Sequence, residues 1–169
     1  MLQSATFGKG DVSIDNTEFG SKSISVDCSN FLKNKLTDDT FGQRLRKSRL
    51  ELGLSISEVA ILCDVTNSII SGYELERYMP TKDILIKLSF KFDMDYLCMD
   101  GYTSLIYNFN DFLDKLNSWI NENNLTKEDA ANKLGVSRSL LRYWFNGGVI
   151  SISTYNKINI KFKKYQLLE

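Results

Sequence analysis

The sequence predicts an all-α protein, with two tandem helical domains behind a short polar N-terminal arm. Three observations carry this. Apolar residues recur at helical spacing, with Ala130, Ala131 and Leu134 on one face and Leu140, Leu141 and Trp144 on another. Punctuation separates those runs: Gly135 supplies the left-handed conformation that ends a helix, and Ser137 an oxygen that caps the next. The same pattern is also written twice, at a constant offset of 71 residues. Phe41 matches Phe112, Leu45 matches Leu116, Leu54 matches Leu125 and Ala60 matches Ala131. Cys63 matches Leu134, Val65 matches Val136, Thr66 matches Ser137, Ile70 matches Leu141 and Tyr73 matches Trp144. A gapless match of this length marks a repeated folding unit.

The elements follow in order. Residues 1–38 form an arm rich in Ser, Gly, Asp and Asn. Val12-Ser13-Ile14 and Ile24-Ser25-Val26 alternate and can pair as a small hairpin across Asn16–Gly20. The competing reading is a solvated arm, because few apolar residues are available to offset the entropy of ordering it. Phe31, Leu32 and Leu36 can form a short docking helix. Residues 39–100 are the first domain, copy one. Thr40 and Gln43 form a capping box ahead of a helix that buries Phe41, Leu45 and Leu52 and ends at Gly53. Ser55 and Glu58 form a second box, followed by a face of Val59, Ala60 and Cys63. Cys63 stands where copy two has Leu134, so it reads as core. Thr66 caps a third helix with Ile70 and Tyr73 inward, and Pro80 precedes a fourth over Thr81 to Phe92. Met94 to Met99 forms a short fifth turn. Residues 101–108 read as a linker or junction, and residues 109–169 as the second domain, copy two. Its last helix resumes near Thr154 and runs to Lys164, with Tyr155, Ile158 and Phe162 inward.

Thr126 to Gly147 therefore reads as two short helices around a tight turn, with the second placed for a major groove. The turn Leu134-Gly135-Val136-Ser137 and the later Trp144 closely resemble the helix-turn-helix of the Cro/CI (XRE-type) repressor family. The resemblance implies two lambda-repressor-like domains and binding to double-stranded DNA. Leu141-Arg142-Tyr143-Trp144 also resembles the MerR family, but the preceding helix and the duplicated copy favour Cro/CI. In that family an Arg on helix one often pairs with a Glu late in the recognition helix. Arg49 and Glu74 match those positions in copy one, and Ile120 and Phe145 stand there in copy two. Joint replacement of a buried ion pair by apolar groups costs little, whereas losing one partner is expensive.

Composition bounds the function. There is no histidine among the 169 residues, which excludes Ser-His-Asp and Cys-His catalysis. No Gly-rich phosphate loop or CxxC occurs, so no enzyme activity, cofactor or metal site is expected. Three scattered cysteines, Cys28, Cys63 and Cys98, suggest reduced thiols in a cytoplasm. No apolar run approaches a membrane span. The formal net charge is zero, which counts mildly against DNA binding. The distribution is uneven: residues 39–108 carry 8 basic and 10 acidic groups, residues 109–169 carry 9 and 6.

A recognition helix reads bases near its N-terminal end and one turn on. In copy two that points to Arg138, Ser139, Arg142 and Tyr143. Arg138 and Arg142 share a face, and arginine bonds a guanine edge through two hydrogen bonds. Lys127 opens the preceding helix, whose N-terminus suits a phosphate. The resemblance implies Gln at that position, so Lys127 suggests phosphate contact over base reading. In copy one the candidates are Asn67, Ser68, Ser71, Arg44 and Arg77, but Gly72 has no side chain to read anything. The function expected is a repressor-like transcriptional regulator. The alternative is a protein-binding module, such as an antitoxin, an anti-repressor or a protein that docks on another regulator. A homodimer is a further expected partner state.

Overall fold

A computed structural model describes residues 7–8, 11–12, 26–27 and 37–168. In the arm, β1 (Phe7–Gly8), β2 (Asp11–Val12) and β3 (Val26–Asp27) pair antiparallel in that order, with Val12 opposite Val26. The expected turn at Asn16–Gly20 and the helix at Phe31–Leu36 lie outside the described residues, as does Cys28.

The remaining elements among the described residues are all helices. Copy one contains α1 (Phe41–Glu51), α2 (Ile56–Cys63), α3 (Asn67–Glu74), α4 (Lys82–Leu88) and α5 (Met94–Leu97). Next comes α6 (Gly101–Tyr107). Copy two contains α7 (Phe109–Glu122), α8 (Lys127–Leu134), α9 (Arg138–Phe145) and α10 (Ile152–Lys164). Local chemistry fixes the starts. Thr40 with Gln43, Ser55 with Glu58 and Thr126 with Asp129 each close a capping box on α1, α2 and α8. Such boxes satisfy two N–H groups that the helix leaves without partners. Thr66 precedes α3, but its hydroxyl bonds Ser68 Oγ at 2.8 Å instead of capping the helix. Ser151 caps α10 by accepting from Thr154 N at 3.2 Å, which starts that helix earlier than its β-branched run suggests.

The repeat is visible in the core. Phe41 and Phe112, Leu45 and Leu116, Ala60 and Ala131, Ile70 and Leu141, and Tyr73 and Trp144 are all buried. Cys63 is buried like Leu134, and burial raises its thiol pKa. Asp64 and Gly135 take the same left-handed conformation, with φ of 56° and 75°. After the recognition helices the offset falls to 70, because the loop of copy two is one residue shorter. The buried residues Leu85, Leu88 and Phe92 then match Tyr155, Ile158 and Phe162. Leu52, expected inside, is 52% exposed; it has passed the end of α1, and Arg49 takes the inward position.

The segment at 101–108 is not an extended linker. It folds as α6, burying Thr103, Leu105 and Ile106 and packing against α4 and α7. Tyr102 reaches into copy two, where its hydroxyl donates to the Ile150 carbonyl at 3.0 Å and its ring lies 5.6 Å from that of Tyr155. Leu105, Ile106 and Phe109 belong to one hydrophobic cluster that includes residues of both copies. Each fully buried aliphatic contributes about 1.5–3 kcal/mol, so the junction is part of the fold.

Candidate nucleic-acid interface

In copy two, α8 ends at Gly135, whose N–H donates to Ala131 O at 2.8 Å, and Val136 N donates to the same carbonyl at 3.0 Å. Ser137 then caps α9 by accepting from Leu140 N at 3.1 Å. The turn thus fixes the angle between the two helices. One face of α9 is anchored: Leu141 and Trp144 are fully buried, and the Trp144 ring meets Phe112 and Phe162 at 6.5 and 6.3 Å. The opposite face is open, with Arg138, Ser139, Arg142 and Tyr143 all exposed.

These groups are partly organised by neighbours. Arg138 is 73% exposed and lies 3.6 Å from the Glu128 carboxylate on α8. A surface pair of this kind is worth about 0–1 kcal/mol, so it orients Arg138 without holding it from another partner. Lys127 is exposed, with its ammonium 4.9 Å from the centre of the Phe145 ring. Ser139 Oγ lies 2.9 Å from Ser137 Oγ. Arg138, Ser139, Arg142 and Tyr143 are thus the exposed residues of α9, and Lys127 at the start of α8 lies beside its last residue, Phe145.

Copy one is built alike but presents less. Asn67, Ser68 and Arg77 are exposed, and Ser71 is half-buried. Arg44 has to be withdrawn from the candidate contacts. It is 1% exposed, and its guanidinium donates to the carbonyls of Leu97, Asp38 and Asp39 and pairs with Asp100 at 2.6 Å. Its role is to tie the start of copy one to its end. Position 44 falls three residues after Phe41 and one before Leu45, so helical spacing already put it on the inward face.

The matched charged and apolar pairs are where the repeat puts them. Arg49 Nε lies 2.5 Å from Glu74 Oε1, Nη2 lies 2.9 Å from Oε2, and both side chains are buried. In copy two Ile120 is buried and Phe145 packs against the same core. Gly72 is buried too, and the ring of Tyr78 lies over it. That cover comes from the following loop and has no signature in helical periodicity. Among the described residues no group of His, Cys, Asp or Glu could hold a metal, and no helix is long and apolar enough to cross a membrane.

Two helix pairs, each joined by a three-residue turn and each with a solvent-facing second helix, define a DNA-binding regulator of the helix-turn-helix class. A helix-turn-helix family model matches twice, over residues 45–94 and 116–164, and the chain belongs to this Cro/CI-type family. No curated protein and no solved structure matches it.

Proposed function

We propose that the protein is a repressor-like transcriptional regulator that reads the major groove with α9, with α3 as a second contact. The observation that carries this is the division of α9 into a buried face, Leu141 and Trp144, and an open face holding Arg138 and Arg142. Arg138 and Arg142 bond base edges, Ser139 and Tyr143 add polar contacts, and Lys127 neutralises a phosphate. In copy one Asn67, Ser68, Ser71 and Arg77 do the corresponding work with fewer charges. Two recognition helices on one chain let it read a site that is not palindromic. A homodimer repeats that arrangement at about 10 bp or multiples of it. The test is selection of bound fragments from random duplex DNA, followed by Arg138→Ala plus Arg142→Ala. Sequence preference should vanish while helical content is unchanged.

A second reading has its own support. Leu52, Ile61, Leu75, Tyr78, Met79, Ile86, Phe90 and Met99 are large apolar residues exposed in copy one, against Tyr143, Ile152 and Ile160 in copy two. Copy one is also acidic on balance. These features suit a protein partner, whether another regulator or a second copy. Binding that persists without DNA and is indifferent to salt supports that role.

A further inference from the structure

The two copies solve one packing problem in opposite ways. After each recognition helix the chain turns back with the same bonds: Arg77 N donates to Gly72 O, and Gly148 N donates to Tyr143 O, both at 2.9 Å. Glu76 and Gly147 precede those residues in matching left-handed conformations, with φ of 58° and 90°. So Gly72 and Tyr143 are equivalent, and so are Arg77 and Gly148. In copy two the tyrosine is on the helix and its ring lies over the glycine of the loop. In copy one the glycine is on the helix, and a loop tyrosine, Tyr78, lies over it. A side chain on Gly72 would begin where the Tyr78 ring already stands. The loop of copy one has Tyr78 and Met79 before the buried Pro80, whereas copy two has only Val149 before the buried Ile150. The longer loop is what lets the ring arrive from the other side.

The two phenols are similarly presented. Tyr78 is 46% exposed and Tyr143 55%. Tyr78 is steadied edge-on against the buried Tyr73, with ring centres 6.2 Å apart at 86°. Its hydroxyl has no hydrogen-bond partner among the described residues. The exposed Arg77 is its chain neighbour.

We infer that Tyr78 is the nucleic-acid contact of copy one at the position where its recognition helix has only Gly72, with its phenol donating to a phosphate oxygen at the groove edge. Tyrosine hydroxyls are among the donors that fix a protein's register on a duplex. The inference rests on the reading that the recognition helices meet DNA. It also changes what copy one is: by sequence alignment it lacks this contact, but in space it has one.

The probe is a duplex selected from random-sequence DNA by the full chain. Tyr78→Phe keeps the ring over Gly72 and removes the hydroxyl, so it decides the matter even if Tyr78→Ala loosens copy one. Loss of a phosphate hydrogen bond should weaken binding by about three- to tenfold in Tyr78→Phe. The hydroxyl-radical footprint should shorten at one end only. If Tyr78→Phe and a folded Tyr78→Ala bind as tightly as the parent, while Arg138→Ala plus Arg142→Ala abolishes the preference for the selected duplex over a scrambled one, the assignment of Tyr78 is wrong and the reading of copy two stands. If no duplex is selected even at about 50 mM salt, both fall together.

Discussion

Replacing Arg49 by Ile, the residue copy two carries at that position, isolates the energetics of the repeat. Arg49 makes two bonds to Glu74, at 2.5 and 2.9 Å, and one to the Leu54 carbonyl at 3.0 Å. The side chains are 8% and 5% exposed, so water cannot replace what is lost. Arg49→Ile leaves the Glu74 carboxylate buried without its partner and should cost about 3–5 kcal/mol. Glu74→Phe alone strands the guanidinium with only Leu54 O and should cost about as much. The two together recreate the apolar arrangement of copy two. The remaining loss is the hydrogen bond to Leu54 O, about 1 kcal/mol, with an allowance of similar size for imperfect packing. Urea unfolding of the parent, both single variants and the double variant closes the cycle. The double should be several kcal/mol more stable than the sum of the singles implies. Additive losses would refute the reasoning, because they would mean that the two positions do not exchange one buried interaction for another.

Other outcomes follow from single features of the fold. Gly72→Ala should not stabilise the parent, because the Tyr78 ring must move; in a Tyr78→Ala background it should stabilise by about 1 kcal/mol, the usual helical gain. Tyr102→Ala with Ile106→Ala should split one thermal transition into two, because both residues belong to the junction between copies. The capping carboxylates set a pH dependence. The Ser55 backbone N–H and hydroxyl hold Glu58 below its ordinary value, and the Thr126 hydroxyl and N–H do the same for Asp129. Depressed folded values mean that their stabilisation is complete above the unfolded pKa of about 4 and is lost as pH falls through the lower folded values. Glu58→Gln with Asp129→Asn should therefore flatten the acid limb of a stability-against-pH curve.

Periodic features were legible in the sequence, and side chains acting against their type were not. The matched apolar positions, the left-handed Gly135 and the cap at Ser137 follow from spacing and residue chemistry alone, because each is decided within one or two helical turns. Arg44 reads as a surface cation by its charge although its spacing is inward; its burial rests on the nearby carbonyls of Asp38 and Asp39 and on Leu97 and Asp100, 53 and 56 residues away, which no local pattern reveals. The helix α6 was hidden because it belongs to neither repeat and opens on Gly101, at φ 70°. Tyr78 was invisible for a third reason. A loop side chain that folds back onto a helix leaves no periodic trace, and the glycine beneath it reads as an empty position.

The account depends most on the open face of α9. A salt titration of binding to the selected duplex tests it directly, comparing the parent with Arg138→Ala plus Arg142→Ala. Phosphate neutralisation predicts a steep linear fall of log affinity with log salt for the parent, about 0.9 per phosphate contacted. The double variant should bind selected and scrambled duplexes alike. Equal discrimination by parent and variant, or binding that ignores salt, would contradict the claim that this face reads DNA.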